Sequence, residues 1–342
     1  MRTLLAALVL IPLCLKAQQL PVVFSADERA HILSHGPWPP APRRDPSNRV
    51  SGKAEAIALG ERLFFEPRLS STGSVLCATC HAPFRAFQDA RARGFGLQEV
   101  DRNTPSVINV GFYRWYGWDG AHDSLWAQSI RPMLEAREMR ATPAHIASLL
   151  RARYAADYER AFGRPVPKDD EEAMVDAGKA LAAYQETLVS GRTPFDDFRD
   201  ALEQGDLLRA ARYPAAAQRG LAIFVGKGNC SACHSGPHFS NSEGGLGGIE
   251  RLKANPYNLL GRFSDAASGS AAVGTRHVEL QQRNFGEFRV PGLRNVALTA
   301  PYMHDGSVPT LAEVARHYPE LNLTVRESAD LVAFLESLTE KK

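Results

Sequence analysis

The sequence lacks a hydrophobic run long enough to cross a membrane. Its clearest apolar run, residues 4–15, lies at the amino terminus between Arg2 and the small residue Ala17. A membrane-spanning helix needs about 20 apolar residues, so this shorter pattern indicates a secretory signal over residues 1–17. We therefore expect an exported, periplasmic protein without stable membrane insertion.

An excess of charge of one sign is also missing. The chain has 40 lysines and arginines against 38 aspartates and glutamates. Removal of the signal would take away Arg2 and Lys16 and make the two signs equal in number. Because nucleic acids and anionic membranes attract strongly basic proteins, we expect no nucleic-acid partner.

Cysteine is scarce, and its arrangement is more informative than its number. One of the five cysteines, Cys14, lies in the predicted signal. The other four form two C-x-x-C-H motifs, which consist of Cys77, Cys80 and His81 and of Cys230, Cys233 and His234. Cysteines three residues apart can close a small disulfide, or bind zinc together with a second pair. The histidine directly after each pair favours two covalently bound haem c groups, with the histidine as iron ligand.

Strand signals are sparse, whereas helical periodicity recurs along the chain. Apolar side chains share one helix face over residues 144–162, 171–189 and 328–338. The Gly- and Ser-rich residues 235–275 predict a long loop after the second motif. We therefore predict a mainly α-helical fold in which haem replaces part of the apolar core.

The chain contains an internal repeat. Residues 104–132 align without a gap to residues 290–318, an offset of 186, whereas the two haem motifs are only 153 residues apart. The second half therefore has 33 extra residues in its loop. We predict duplicated haem domains over residues 53–205 and 206–342, with some helices shared, after an N-terminal arm over residues 18–52.

The end of the repeat contains several possible metal ligands. A capping box at Thr310 predicts a short helix. On that helix Tyr318 shares a face with Leu311 and Val314, while His317 turns towards solvent. From periodicity alone, Tyr318 is a core tyrosine.

Taken together, the two C-x-x-C-H motifs, the repeated Asn…Asp-Gly segments and the run PYMHDG resemble the bacterial di-haem cytochrome c peroxidase and MauG superfamily. The resemblance extends from about residue 53 to residue 338. It implies two α-helical, cytochrome c-like domains with a calcium ion between them.

For the second haem, the resemblance implies that Tyr318 is the sixth iron ligand. Tyr318 stands fourteen residues after His304 of the P-Y-x-H motif, where many family peroxidases have methionine and MauG-like enzymes have tyrosine. Under this interpretation His304 lies beside the second haem without binding its iron.

For the first haem, the resemblance implies an open iron. Leu97 stands sixteen residues after His81, where methionine-ligated peroxidases of the family have a blocking histidine. Pro132 is the repeat partner of Tyr318 and cannot bind iron. The first haem should therefore accept peroxide directly.

Other site residues are also implied by the resemblance. Trp118 would lie between the haems, with Gln128 and Glu138 in the distal pocket, although Gln128 and Glu138 taken singly are solvated helix residues. In a largely apolar pocket, Glu138 would carry protons and Gln128 would orient the peroxide. The implied calcium ligands are the side chain of Asn103 and the carbonyl oxygens of Thr299 and Pro301.

These features predict a peroxidase that reduces hydrogen peroxide at the first haem. Its second haem would relay electrons from a small cytochrome c or cupredoxin. One alternative is a MauG-like oxidase that modifies a protein substrate, but Gly228 stands where MauG has a tryptophan used in that transfer. Another alternative is a non-catalytic di-haem electron carrier, which an open first haem disfavours.

Overall fold

The computed structural model describes residues 22–241, 245–266 and 273–341. The predicted signal over residues 1–17 lies outside these ranges. Within them the α-helices are α1 (Ala26–Ser34), α2 (Ala54–Phe64), α3 (Cys77–Cys80), α4 (Leu125–Leu134), α5 (Pro143–Arg153), α6 (Ala155–Phe162), α7 (Asp170–Gln185), α8 (Pro194–Gln204), α9 (Leu207–Ala210), α10 (Ala215–Val225), α11 (Ile249–Ala254), α12 (Val273–His277), α13 (Leu311–Arg316) and α14 (Val325–Glu336).

Extended pairing is limited, in these ranges, to isolated β-bridges such as Tyr116 with His122 and Tyr302 with Val308. The predicted mainly α fold is therefore confirmed. The described 3₁₀ turns are Pro67–Leu69, Pro83–Arg85, Val110–Phe112, Cys230–Ala232, Gln282–Asn284, Val296–Leu298 and Pro319–Leu321.

One predicted helix is divided in two. The pattern over residues 144–162 forms α5 and α6, which meet at Tyr154, where φ is −123° and ψ is 10°. The hydroxyl of Tyr154 donates to the buried carboxylate of Glu66 at 2.5 Å. The bend thus coincides with an anchored side chain, a contact that apolar periodicity does not reveal.

The helices surround two hydrophobic cores. The first is built largely by α2, α4, α5, α6 and α7, and the second by α1, α8, α10, α13 and α14. Leu188 packs against the first core and Phe195 belongs to the second. The packing therefore changes from one core to the other before α8, upstream of the predicted domain boundary after residue 205.

A glycine marks the main helix crossing in each core. A Cβ atom added at Gly60 on α2 would collide with the carbonyl oxygen of Ala180 on α7. In the second core, a Cβ atom added at Gly220 on α10 would collide with the carbonyl oxygen of Asp330 on α14. Both helix pairs thus approach more closely than any side chain would allow.

The aligned repeat segments adopt the same local structure. Asn109 and Asn295 both have left-handed backbone angles, with φ of 64° and 61°, and each precedes a 3₁₀ turn. The β-bridges at Tyr116 and Tyr302 occupy equivalent positions as well. These correspondences support the predicted duplication.

The N-terminal arm contacts both cores. Ile32 on α1 is buried in the second core, whereas Val50 is buried in the first. Between them, the indole of Trp38 donates to the carbonyl oxygen of Ser190 at 3.0 Å. Among the described helices, none combines the length and the apolar character that a membrane span requires.

Candidate active site and haem-binding motifs

The first C-x-x-C-H motif forms the short helix α3 followed by His81. The Nδ1 atom of His81 lies 3.2 Å from the carbonyl oxygen of Phe87. Because a carbonyl can only accept, Nδ1 carries the hydrogen and Nε2 keeps a free lone pair. Burial also lowers the pKa of His81 and so favours the neutral ring. His81 therefore fits the predicted role of iron ligand.

The second motif has the same geometry. The Nδ1 atom of His234 lies 3.0 Å from the carbonyl oxygen of Phe239, and burial lowers the pKa of His234. The carbonyl oxygens of two repeat partners lie near these rings, Pro105 beside His81 and Pro291 beside His234. Both histidines are thus held with Nε2 available for a metal.

The cysteines of the two motifs are free thiols. Cys77 packs against the first core and Cys230 against the second, so the two pairs cannot share one zinc ion. In the described part of the chain, no group of three or more His, Cys, Asp or Glu side chains could hold a metal ion. Free thiols beside a histidine with an available Nε2 fit covalent haem at each motif.

A cavity of about 570 Å³ lies beside the first motif. This volume is in the range typical of cofactor sites. Both halves of the chain contribute to its lining, which includes Cys77, Cys80, His81, Trp118, His122, Gln128, Arg131, Pro132, Glu138, Arg251, Asn255 and Arg289. The structure therefore brings Trp118, Gln128, Pro132 and Glu138 to the first motif, and their roles there stay a prediction.

The helix α4 carries two of these residues. It begins after Ser124, whose hydroxyl accepts from the main-chain N–H of Ala127 at 3.2 Å. The Oε1 atom of Gln128 is buried and has no hydrogen-bond partner in the described structure. Such an atom indicates a bound group or water that supplies the missing partner. Pro132, one turn later, adds no atom able to bind iron.

The surroundings of Glu138 differ from the prediction. The carboxylate of Glu138 accepts a hydrogen bond from the guanidinium of Arg131 at 2.6 Å, so the expectation of a largely apolar environment is wrong. The backbone of Glu138 also fixes the preceding loop, because its carbonyl oxygen accepts from the N–H of Leu97 at 3.0 Å. Leu97 itself packs against the first core.

Trp118 contacts both halves of the molecule. Its indole N–H donates to the carbonyl oxygen of Asn103 at 2.8 Å. Its own carbonyl oxygen accepts from the main-chain N–H of Arg289, in the second half, at 2.7 Å. This position suits the predicted location of Trp118 between the two haems. Its role in electron transfer stays a prediction.

Tyr318 lies outside the helix on which the sequence places it. The helix α13 ends at Arg316, and Tyr318 has φ of −113° and ψ of 73°. Its side chain is 45% exposed, so the core-tyrosine interpretation is wrong, whereas His317 is exposed as predicted. Partial burial raises the pKa of Tyr318, and the charges of Cys230 and Cys233 contribute in the same direction. The role of Tyr318 as sixth ligand of the second haem stays a prediction.

His304 contacts residues of both halves. Its ring stacks on Phe288 with ring centres 3.8 Å apart. Its carbonyl oxygen accepts from the main-chain N–H of Asn103 at 2.9 Å. The predicted position of His304 beside the second haem stays a prediction.

The same contact concerns the predicted calcium site. Asn103 is buried, and its side-chain amide donates to the carbonyl oxygen of Arg91 at 2.8 Å. This bond leaves the side-chain oxygen of Asn103 available. The main-chain bond of Asn103 to His304 also places it beside the segment that contains Thr299 and Pro301. Amide and carbonyl oxygens are donors that calcium prefers, and the calcium site stays a prediction.

Comparison with known proteins now identifies the family. A family model described as di-haem cytochrome c peroxidase matches residues 54–204. The chain is 38% identical over 302 residues to methylamine utilization protein MauG from Methylorubrum extorquens, across 83% of this chain and 78% of that protein. The chain belongs to the di-haem cytochrome c peroxidase family.

Other members of the family agree over most of their length. Cytochrome-c peroxidase IdrP1 from Denitromonas iodatirespirans is 34% identical over 335 residues, across 89% of this chain and 86% of the relative. A solved MauG-like protein associated with microbial copper homeostasis has a TM-score of 0.67 and 28% identity, across 90% of this chain and 96% of that structure. The protein is therefore an oxidoreductase, and its family implies two c-type haems.

Several polar lining residues of the cavity do not follow from motif spacing, among them His122, Arg131, Arg251, Asn255 and Arg289. Arg251 and Asn255 lie in the extra loop of the second half, and Arg251 pairs with Asp119 of the first half. The only sequence feature that pointed to Arg251 and Asn255 was the insertion of 33 residues in the second half. An insertion in one repeat indicates an added surface but does not say which half it contacts.

Proposed function

We propose that this family member is an exported peroxidase that reduces hydrogen peroxide at the first haem, using electrons relayed through the second haem from a small donor protein. One observation carries the proposal. The cavity beside the first motif holds a buried, unpartnered Gln128 oxygen, and Pro132 stands where the second half has Tyr318. This cavity therefore has room for a small ligand, and Pro132 offers no atom that would bind the iron of a haem held there.

Cys77, Cys80 and His81 would hold the first haem, whose iron supplies the redox chemistry when bound. Glu138 then moves the proton that peroxide must lose and regain, a task suited to a carboxylate at the cavity wall. Arg131 orients that carboxylate through their 2.6 Å hydrogen bond. Gln128 binds and orients the peroxide oxygens with its amide.

The second half supplies the relay. Cys230, Cys233, His234 and Tyr318 would hold the second haem, and an anionic tyrosine ligand favours ferric iron. Trp118 bridges towards the first site through its hydrogen bonds to Asn103 and Arg289. The donor protein remains defined by chemistry alone, as a small one-electron carrier such as a cytochrome c or a cupredoxin.

A MauG-like oxidase is the second candidate function, because the chain is 38% identical to a MauG protein and has Tyr318. The structure adds a point against the same transfer route. A Cβ atom at Gly228 would lie 2.7 Å from the carbonyl oxygen of Ile223, so a tryptophan there would require a backbone shift. We therefore place peroxide reduction first.

The test uses the ferric holoprotein with hydrogen peroxide and a reduced small cytochrome c. We expect peroxide-dependent oxidation of the cytochrome, at a rate that vanishes in a Cys77→Ala, Cys80→Ala variant. A ferric protein that leaves peroxide unconsumed would contradict the proposal and favour the electron carrier. Peroxide consumption without cytochrome oxidation, together with cross-linking or oxidation of a second protein, would favour the MauG-like alternative.

A further inference from the structure

The extra loop of the second half packs on the first half. Residues 245–266 contact the segment that follows Trp118, through several hydrogen bonds. The main-chain N–H of Gly248 donates to the carbonyl oxygen of Asp119 at 2.7 Å. The N–H of Leu259 donates to the carboxylate of Asp123 at 2.9 Å. These bonds fix the loop on both sides of His122.

Asn255 in this loop determines which nitrogen of His122 carries the hydrogen. The side-chain oxygen of Asn255 accepts from the main-chain N–H of Tyr257 at 2.9 Å. Its amide nitrogen therefore faces the Nδ1 atom of His122, 3.1 Å away, and Nδ1 must accept. In the neutral ring the hydrogen then lies on Nε2.

The ring of His122 is buried and neutral at the cavity. Its residue is 8% exposed and lines the cavity together with Gln128 and Asn255. Burial and the nearby charge of Arg131 lower its pKa to about 4. Within the described structure, the ring of His122 bonds to Asn255 through Nδ1, and Nε2 forms no hydrogen bond with the protein. Because His122 lines the cavity, this N–H group is free to donate to a molecule bound there.

We propose that His122 is a further ligand-binding residue of the first haem site, donating its Nε2 hydrogen to an oxygen or anion bound in the cavity, with Asn255 as its positioning residue. This inference rests on the proposed function, since it names a second polar contact beside Gln128 for the peroxide. The repeat partner of His122 is Val308, so the second half has no equivalent donor.

The experiment measures the binding of fluoride and the stretching frequency of bound carbon monoxide, because both respond to a hydrogen-bond donor beside the ligand. Fluoride binds ferric haem and can only accept, so His122→Phe should weaken fluoride binding at the first haem about tenfold, the usual value of one such bond. In the reduced carbon monoxide adduct, the same variant should raise the C–O stretching frequency. Asn255→Leu, which keeps the ring but frees Nδ1, should cause a smaller change of the same sign.

Two further variants make the result specific. His122→Gln keeps a donor of similar reach and should restore much of the fluoride affinity. His145→Gln removes a half-buried histidine whose Nε2 is engaged by the carbonyl oxygen of Arg68 at 2.8 Å, and should change neither readout. An unchanged fluoride affinity and C–O frequency in His122→Phe would overturn the inference alone. Failure of the first haem to bind either ligand in the unmodified protein would instead overturn the proposed open site.

Discussion

At equivalent positions the first half has Pro132 and the second half has Tyr318, although the helices that lead to them, α4 and α13, both begin with a hydroxyl cap. The helix crossings, the left-handed asparagines and the histidine geometries are shared between the halves. The halves differ in the 33 extra residues of the second half and in single side chains at the ends of shared elements. If Tyr318 binds the second iron and Pro132 leaves the first one open, as proposed, the two halves would hold a closed and an open iron site on similar local structures.

The largest expected effect is the loss of one haem. Cys77→Ala combined with Cys80→Ala should leave one covalent haem and abolish peroxide turnover, because only the second motif can still form thioethers. The matched Cys230→Ala, Cys233→Ala variant should also keep one haem. Haem retained after acid–acetone extraction gives the count. Two covalent haems in either variant would show that the attachment assignment is wrong.

The next effect separates chemistry from iron binding at the first site. Glu138→Gln should lower peroxide turnover by roughly 10²–10⁴, the usual contribution of general acid–base catalysis, while both ferric spectra stay unchanged. Glu99→Gln, at an exposed carboxylate near Arg93, is the matched control and should keep full turnover. Full turnover in Glu138→Gln would remove this carboxylate from the proton path.

The third effect tests the closed site. Tyr318→Phe removes the hydroxyl near Cys230 and Cys233, so the second haem should lose its low-spin ferric signal and accept exogenous ligands. Its potential should rise, since tyrosinate favours ferric iron. Electron paramagnetic resonance and cyanide binding measure this change, and His317→Ala serves as the control. A spectrum that Tyr318→Phe leaves intact would point to another ligand and break the comparison with Pro132.

The fourth prediction compares how much the two helix crossings contribute to the free energy of unfolding. Gly60→Ala and Gly220→Ala should each lower the free energy of unfolding by about 1–3 kcal/mol, because the new methyl group forces two helices apart. Urea unfolding followed by circular dichroism measures both variants. Gly111→Ala, where the nearest atom is 3.4 Å from the added Cβ, should cost less. A large loss in one half only would show that the two crossings are not equivalent.

The smallest expected effect is on the stability of the protein at low pH. Glu66 follows Gly60 by six residues, where the second half has Gly226 after Gly220. A hydrogen bond from Arg68 lowers the pKa of Glu66 from 4.5 to about 2. This stabilisation is complete above about pH 4.5 and is lost as the pH falls towards 2.

Glu66→Gln should therefore reduce the free energy of unfolding at pH 7 by about 1–2 kcal/mol, because Arg68 is half exposed. The difference from the unmodified protein should shrink as the pH falls from about 4.5 to 2. Urea titrations at several pH values measure it. A difference that stays constant across this range would show that the charge of Glu66 does not contribute.

Some of this could be predicted from the sequence, and the limits have physical causes. The C-x-x-C-H motifs predict haem because the chemistry is local to five residues, and periodicity predicts most helices. Periodicity failed at Tyr318 because Pro319 follows it, and a residue before proline avoids helical angles. That signal was present in the sequence and outweighs the apolar spacing.

Other features depend on contacts between distant segments. Arg131 reaches Glu138 across the end of α4. The carboxylate that we expected in an apolar pocket is therefore paired with a guanidinium. Asn255 reaches His122 from 133 positions away, and no spacing rule connects them. The sequence could show that the second half has extra residues, whereas only the fold shows that they contact the first half.

That contact has a consequence for the order of assembly. During synthesis, residues 53–205 emerge before residues 245–266, so one wall of the cavity and the buried Phe263 of the first core are added late. A haem attached at that moment would be open to solvent on the side later occupied by Arg251 and Asn255. The cavity beside the first motif is therefore enclosed only after residues 245–266 have folded onto the first half.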